Sequence, residues 1–314
     1  MIKNLVISGG GVKIIASLGV IKYLKETDQL KSIKNYYGTS AGSIICLMLT
    51  LGFGLEEMIR FIESFDLDKL IIVNTENLFT TFNVCENNKI EKVIKLFLNF
   101  KLNNPNDLKK LNFENITMKE LYNKTNKYLS ITSTCLTTQE AVYISHETFP
   151  NIPVWKAILM SCSIPLIFKP IEWEDKLYVD GGLIDNFPLF NIKLDDIKYT
   201  LGIQINLNCT PNYSKEQNIY NYVINLIEII LESQIEIKPY NIISIKIDNS
   251  LIHNALSVNI DIDTKKKIII SAYEQSIIQF SKIQFSKNTC EAETQTTNNN
   301  KTSNFLKTKR SNSF

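Results

Sequence analysis

Histidine is almost missing from this chain. Its 314 residues include only two, His146 and His253. Histidine is a frequent ligand of zinc in both structural and catalytic sites, so a histidine-rich metal site is not expected here. Each of the two is more often a surface or core residue than a catalytic base.

Paired cysteines are missing as well. The cysteines are scattered along the chain, which is typical of reduced thiols in a cytosol and argues against a disulfide framework or a zinc site. No carboxylate cluster has the spacing of a calcium-binding loop either. We therefore expect a protein with no metal and no cofactor. The six cysteines, none in a C-x-x-C pair, are Cys46, Cys85, Cys135, Cys162, Cys209 and Cys290.

An excess of charge of one sign is also lacking, since 34 basic and 32 acidic side chains give a net charge of +2. Nucleic acid is therefore not expected as the main partner, and any attraction to a membrane must be local. Oligomeric state is left open by the sequence.

Long apolar runs are absent too. The longest, residues 44–53, is roughly half of the ~20 residues that a membrane-spanning helix needs, and it is typical of a core helix. The apolar run at residues 5–7 is too short for a signal peptide. We expect a cytoplasmic protein with no signal peptide and no transmembrane segment, either free or peripheral on membranes.

The chain does have the composition of a folded protein, with 44% hydrophobic and 21% charged residues. Its length suits one large domain, which we place at residues 1–285. Residues 286–314 are rich in Thr, Asn, Ser and Lys, with few apolar side chains to offset the entropy of ordering. We predict that they form a disordered tail.

Strand patterns alternate with helix patterns along most of the chain. This alternation predicts an α/β fold with a mainly parallel sheet covered by helices on both faces. A Ser/Thr-x-x-Glu capping box at residues 117–120 predicts one further helix start. The predicted strands are residues 5–7, 34–37, 128–132, 141–145, 176–179, 201–207 and 242–247, and the predicted helices include residues 13–27, 40–52, 55–70, 89–102, 219–232 and 264–283.

The strongest local motif is the G-x-S-x-G sequence from Gly38 to Gly42, which places Ser40 between a short strand and an apolar helix. A nucleophile elbow needs small residues on both sides of its serine because the backbone turns sharply there. The alternative is a Gly/Ser turn that caps a buried helix, since serine is a good N-cap residue.

A second glycine-rich motif, Gly9-Gly10-Gly11-Val12-Lys13, follows the first strand directly. Its backbone N–H groups could point at an anion. The spacing fits neither the Walker phosphate loop nor the full dinucleotide-binding fingerprint. An oxyanion hole for an acyl intermediate fits better.

The third motif is Asp180-Gly181-Gly182, at the end of a predicted strand. An aspartate followed by two residues without side chains can approach another loop closely. A plain Asp-Gly turn is the alternative.

Together these motifs resemble the patatin-like phospholipases. Residues 9–26 are similar to the family's opening pattern G-G-G-x-[RK]-G, which is followed by a helix with a glycine at the position of Gly19; the chain departs from the pattern at Ile14. Residues 38–42 resemble its G-x-S-x-G and residues 180–182 its D-G-[GA]. Residues 157–170 and Asn186-x-Pro188 also fit, so the resemblance covers residues 1 to about 210 in the right order.

The resemblance implies a three-layer α/β/α fold and a Ser-Asp dyad, in which Ser40 attacks an ester carbonyl and Asp180 accepts its proton. Backbone N–H groups of Gly10, Gly11 and Val12 would hold the oxyanion. An aspartate with the ordinary pKa of ~3.9 is a weak base. We therefore expect orientation and the oxyanion hole to supply most of the catalysis.

Some assignments stay open from the sequence. Lys13 either positions the glycine loop or is a solvated lysine at a helix start. The apolar and cationic helix at residues 89–97 either contacts a membrane or packs on the core. The implied substrate is a phospholipid or related acyl lipid; the rivals are a non-catalytic lipid-binding or scaffold protein of the same fold and a soluble esterase or thioesterase for small acyl groups.

Overall fold

A computed structural model of the protein describes residues 1–64, 83–85, 88–103, 112–207, 226, 229–230, 241–248, 251 and 260–305. The side chains of residues 64, 83–85, 207 and 284–305 are not part of that description. Most of the predicted helix at residues 219–232 lies outside the described residues, as do His253 and residues 306–314.

The described strands form one large sheet and one small pair. The large sheet has the order β10-β9-β1-β2-β4-β8-β7, and β5 also pairs with β4. The five strands from β10 to β4 run parallel, whereas β8, β7 and β5 are antiparallel to their neighbours. The predicted mainly parallel α/β sheet is therefore confirmed. The strands are β1 (Asn4–Ile7), β2 (Asn35–Thr39), β3 (Asn83–Cys85), β4 (Tyr128–Cys135), β5 (Glu140–Ile144), β6 (Leu166–Phe168), β7 (Ile171–Trp173), β8 (Lys176–Asp180), β9 (Thr200–Leu207) and β10 (Asn241–Ile247).

Helices connect and cover these strands. The predicted helix at residues 13–27 begins as a 3₁₀ helix, Gly11–Ala16, and continues as α1. Side chains of Thr117 and Glu120 each accept a hydrogen bond from the other's backbone N–H, so the predicted capping box starts α5. The α-helices are α1 (Ser17–Glu26), α2 (Ala41–Thr50), α3 (Leu55–Ser64), α4 (Asn88–Leu102), α5 (Met118–Thr125), α6 (Val154–Cys162) and α7 (Ile262–Phe305).

The two faces of the sheet are covered differently. In β1, Leu5 and Ile7 belong to the main core, together with the buried faces of α1, α2, α6 and α7. Val6, whose side chain points the opposite way in a strand, packs against Phe187, Leu189 and Ile192. These three side chains lie in a segment that carries two short 3₁₀ helices, Leu189–Asn191 and Leu194–Tyr199. The second face thus has its own layer.

The C-terminal helix α7 is longer than the sequence predicts. It runs to Phe305, past the expected end at residue 283, and no glycine or proline interrupts residues 262–305. The backbone is therefore helical between residues 286 and 305, where disorder was expected. The division of the chain at residue 285 into a domain and a tail stays a prediction.

Helix α4 packs on the core through Ile94, Phe97 and Leu98, which are all buried. Its outer face exposes Leu96 and Phe100, at 67% and 66%. Core packing is therefore one role of this apolar and cationic helix. Among the described residues, no helix combines the length and the apolar character needed to cross a bilayer.

Candidate active site

The site forms where two strands meet end to end along one edge of β4. Strand β2 pairs with the first half of β4 and ends with Thr39 opposite Thr132. Strand β8 pairs with the second half and ends with Asp180 opposite Ser133. Because β5 pairs with β4 from Ile131 to Cys135, on both sides of the point where β2 and β8 meet, β2 and β8 must share the opposite edge. Ser40, which directly follows β2, therefore meets the last residue of β8.

Ser40 lies in a sharp turn between β2 and α2. Its φ of 51° is unusual for a residue with a side chain, and such strain costs about 1–3 kcal/mol. A Cβ at Gly38 would lie 2.8 Å from the backbone of Gly42, and a Cβ at Gly42 would lie 2.5 Å from the carbonyl oxygen of Ser8. The two glycines are therefore required for the turn to pack between β1 and β2.

The hydroxyl of Ser40 donates to Oδ2 of Asp180 at 2.6 Å. The two residues are 140 positions apart in the sequence, and both are buried. Oδ1 of the same carboxylate accepts the backbone N–H of Gly182 at 2.8 Å. The aspartate is thereby fixed with one oxygen toward the serine.

Burial changes the acidity of Asp180. Desolvation raises its pKa to about 6, although the hydrogen bonds from Ser40 and Gly182 act in the opposite direction. The expectation of an ordinary aspartate pKa was therefore wrong, because the sequence does not show how deeply a carboxylate is buried. A carboxylate with this pKa is a stronger base than one in water and is still ionised above pH 7.

Gly181 allows β8 to end directly against β4. A Cβ at this position would lie 2.3 Å from the carbonyl oxygen of Thr132. The same carbonyl accepts the hydroxyl of Ser161 at 2.5 Å, and Ser161 in turn accepts the backbone N–H of Ser40 at 2.8 Å. Ser161, on α6, thus holds the turn of Ser40 in place.

Sequence reasoning did not assign this role to Ser161. The available signal was its position in the segment at residues 157–170 that resembles the family.

The glycine-rich loop lies beside Ser40. A Cβ at Gly9 would be 3.3 Å from the Cβ of Ser40 and 2.2 Å from Oδ1 of Asn186. The N–H of Gly9 donates to the carbonyl oxygen of Asn186 at 3.0 Å, so this N–H is not available to a ligand. Gly9 therefore serves close packing, and only the next residues can supply donors.

The N–H groups of Gly10, Gly11 and Val12 have no acceptor among the residues that the structure describes. The positive φ of Gly11, 52°, is a conformation that favours glycine and starts the 3₁₀ helix. These three residues directly follow Gly9, whose added Cβ would lie 3.3 Å from the Cβ of Ser40, so their role as donors to an oxyanion stays a prediction.

Lys13 is buried, with only 4% of its surface exposed. A Cβ placed on Gly10 would lie 3.6 Å from Cβ and 4.0 Å from Cε of Lys13, so the lysine stem lies along the loop. The solvated-lysine alternative is therefore wrong. Ile14, where the chain departs from the family's pattern, is buried in the main core.

His146 lies in an aromatic stack and not beside Ser40. Its ring stacks on Tyr122 at a centroid distance of 3.7 Å and meets Tyr128 edge-on at 5.4 Å. Burial lowers the pKa of this histidine. In the described part of the chain, no group of three or more His, Cys, Asp or Glu side chains is arranged to hold a metal ion.

Comparison with known proteins identifies the family of this chain. The family model described as patatin-like phospholipase matches residues 5–191, more than half of the chain. The chain belongs to the patatin-like phospholipase family. The match includes the glycine-rich loop, Ser40 and Asp180, and it ends at Asn191, in the 3₁₀ segment on the second face.

Several curated proteins are similar in sequence. A probable lipid hydrolase of Invertebrate iridescent virus 6 is 32% identical over 60% of this chain and 62% of its own length. An uncharacterised protein of Acanthamoeba polyphaga mimivirus is 30% identical over 72% of this chain and 74% of its own. Triacylglycerol lipase 4 of Saccharomyces cerevisiae is 26% identical over 66% of this chain, but this region is only 24% of the yeast protein.

Solved structures share the fold. VipD from Legionella pneumophila has a TM-score of 0.66 at 16% identity, covering 89% of this chain and 67% of VipD. ExoU from Pseudomonas aeruginosa has a TM-score of 0.53 at 15% identity, covering 90% of this chain and 53% of ExoU. At these identities the likeness concerns the architecture.

Proposed function

We propose that this protein is a lipid acyl hydrolase of the phospholipase A type, with Ser40 as nucleophile and Asp180 as its base. The observation that carries the proposal is the 2.6 Å hydrogen bond from the Ser40 hydroxyl to the buried Asp180 carboxylate. A capped helix would need neither a strained serine nor a desolvated carboxylate beside it. Both cost stability, and such costs are typical of functional sites.

The first half-reaction forms an acyl-enzyme. Ser40 Oγ attacks the ester carbonyl carbon while Asp180 accepts the hydroxyl proton, and the carbonyl oxygen becomes an oxyanion. The N–H groups of Gly10, Gly11 and Val12 donate to that oxyanion. The tetrahedral intermediate then collapses, and the alcohol leaves with the proton that Asp180 carries.

The second half-reaction releases the fatty acid. A water molecule attacks the acyl carbonyl and gives a proton to Asp180. The same N–H groups stabilise the second oxyanion. Collapse breaks the bond to Ser40 Oγ, which regains a proton from Asp180, and the enzyme returns to its starting state.

A lipid substrate is supported by the relatives, which are described as a probable lipid hydrolase and a triacylglycerol lipase. Peripheral contact with a membrane remains part of the proposal. Helix α4, with exposed Leu96 and Phe100, is an unfavourable candidate for it: Phe100 contacts Phe53, beyond the end of α2 that is remote from Ser40.

Ser40→Ala tests the assignment. Loss of a covalent nucleophile costs several orders of magnitude in kcat, and ~10⁶-fold is typical for a serine hydrolase. Hydrolysis of phosphatidylcholine, phosphatidylglycerol, triolein and p-nitrophenyl butyrate should disappear for all substrates that the wild type cleaves. A fluorophosphonate probe should label Ser40 in the wild type and no residue in the variant.

His146→Ala is the matched control, because it removes the described histidine from an aromatic stack without touching the dyad. It should keep its activity. A Ser40→Ala enzyme with even a tenth of wild-type activity would refute the nucleophile. Wild-type protein that binds lipid vesicles but cleaves no ester and takes up no probe would instead identify a lipid-binding protein; cleavage of p-nitrophenyl butyrate alone would identify an esterase.

A further inference from the structure

One short segment touches all three parts of the site. It begins at Asp180, and its next turn closes when the N–H of Asp185 donates to the carbonyl oxygen of Gly181 at 3.0 Å. The carbonyl oxygen of Asp185 accepts the hydroxyl of Thr39, the residue before Ser40, at 3.1 Å. The following carbonyl, of Asn186, accepts the N–H of Gly9 at 3.0 Å. Residues 180–186 thus connect the base, the serine turn and the glycine loop.

This segment is anchored from outside by a tyrosine. The hydroxyl of Tyr143 donates to Oδ2 of Asp185 at 2.7 Å. Tyr143 lies on β5 directly opposite Thr132 of β4, so its position is fixed by a regular strand pair. Asp185 is half-buried, and burial raises its pKa; a carboxylate whose contact with water is reduced gains from a hydrogen-bond donor that the protein supplies.

The hydrogen bond from Tyr143 to Asp185 matters for the chemistry because residues 180–186 contact Ser40, Thr39 and Gly9 at the same time. If Asp185 shifts, its carbonyl moves relative to Thr39 and the next carbonyl moves relative to Gly9. The distance between Ser40 and the donors of Gly10 and Gly11 changes with them. Displacements of about 1 Å in such a site cost up to about 100-fold in rate.

We propose that Tyr143 is a positioning residue of the hydrolase, which acts through Asp185 to set the glycine loop against the Ser40–Asp180 pair. The inference rests on the proposed function. Among the described residues, the hydroxyl of Tyr143 is hydrogen-bonded to Asp185 and to neither Ser40 nor Asp180. Its effect is therefore on the geometry of the transition state and not on the affinity for the substrate.

Tyr143→Phe is the direct test, because it removes one hydroxyl and keeps the ring. At pH 8, kcat for a soluble ester such as p-nitrophenyl butyrate should fall between about tenfold and 100-fold, with KM changed less than about threefold. The rate of Ser40 labelling by a fluorophosphonate should fall by the same factor as kcat. Tyr128→Phe is the matched control: this half-buried tyrosine on the neighbouring strand contacts Tyr37 and His146 and no part of residues 180–186. It should keep wild-type kcat.

A double-mutant cycle with Asp185→Ala separates the anchor from general damage. If Tyr143 acts through Asp185, the kcat of the double variant should be no lower than the kcat of the less active single variant. Multiplicative losses would refute the inference. If Asp185→Ala does not fold, the comparison of Tyr143→Phe with Tyr128→Phe still decides it.

The two proposals fail in different ways. Unchanged kcat in Tyr143→Phe, with Ser40→Ala inactive, would overturn the positioning role and leave the hydrolase assignment in place. An active Ser40→Ala enzyme would overturn both.

Discussion

Gly10 and Gly19 both belong to the glycine-rich beginning of the chain, yet the structure surrounds them differently. A Cβ at Gly10 would make an ordinary contact, 3.6 Å from Cβ of Lys13. A Cβ at Gly19 would lie 2.4 Å from the carbonyl oxygen of Ile269 and 2.6 Å from the backbone nitrogen of Tyr273, both in α7. The fold has room for a methyl group in the loop and none between the two helices.

This difference shows that a position can require glycine for two reasons, the packing of the fold or the space needed by a substrate. At Gly19 the requirement comes from the scaffold, because α1 and α7 approach until their backbones touch. The contact is extended by stacking of Tyr23 on Phe280 at 4.4 Å and by the hydrogen bond from Tyr273 to Glu26 at 2.5 Å. At Gly10 the scaffold makes no such demand. A requirement for glycine there would have to come from the substrate.

Among the three variants that test this comparison, Asp180→Asn should have the largest effect on activity. Asp180→Asn keeps the shape of the side chain but cannot take the proton of Ser40. We expect kcat/KM to fall about 10³-fold or more. The wild-type profile of kcat/KM against pH should lose activity as the pH falls through about 6, where Asp180 becomes protonated.

The same variant should not be less stable. The folded-state pKa of about 6 is above the ordinary value of 3.8 for an aspartate, so between these pH values the folded protein binds more protons than the unfolded chain. Asp180 therefore destabilises the fold above pH 6, and this cost disappears as the pH falls toward 3.8. Asp180→Asn should be more stable at pH 8, by up to about 3 kcal/mol. Urea denaturation at pH 8 and pH 5 measures the difference, which should shrink at pH 5; a variant destabilised at pH 8 would contradict the buried-charge argument.

Gly10→Ala tests the loop side of the comparison. The added methyl group has space in the protein but lies beside the proposed oxyanion. We expect about a 100-fold loss in kcat, the effect of losing one oxyanion donor, with a smaller change in KM. The melting temperature should stay within about 2 °C of the wild type, since the nearest atom to the added Cβ, at 3.6 Å, makes an ordinary van der Waals contact and no named mechanism of large destabilisation applies. Normal kcat per folded molecule would remove the oxyanion role from this loop.

Gly19→Ala tests the scaffold side and should have the smallest effect on catalysis. The methyl group would push α7 away from α1 and reduce stability by about 1–3 kcal/mol. The kcat per folded molecule should stay within about twofold of the wild type. Thermal denaturation and active-site titration with a fluorophosphonate, on one preparation, give both numbers. A variant that melts normally but is inactive would show that the comparison with Gly10 is wrong.

Local structure could be predicted well from the sequence where a short segment alone determines it. The strands before Gly9 and Gly38, the apolar helix after Ser40 and the capping box at Thr117 follow from short-range patterns, and all are present. The end of α7 was predicted less well. Its polar composition past residue 283 indicated disorder, while the absence of glycine and proline leaves nothing to end the helix.

Sequence motifs identified the residues of the candidate site, but they could not predict which of these residues contact one another. Tyr143 belongs to no motif, and Ser161 lies in the family-like segment at residues 157–170 without a role that the segment itself indicates. Each acts through a contact with a residue distant in sequence. Lys13 shows the same limit. A lysine at the start of a helix is usually solvated, and only the packing of the loop against its stem buries it.

The sequence alone determined that a serine would stand in a tight turn between a strand and a buried helix, because Gly38 and Gly42 fit that turn and larger residues do not. Tertiary structure alone decided that Asp180 meets it. That meeting requires β2 and β8 to share one edge of β4, a long-range pairing that no local pattern encodes. The pKa of about 6 at Asp180 follows from the same packing, because desolvation depends on everything that surrounds a carboxylate and not on its neighbours in the chain.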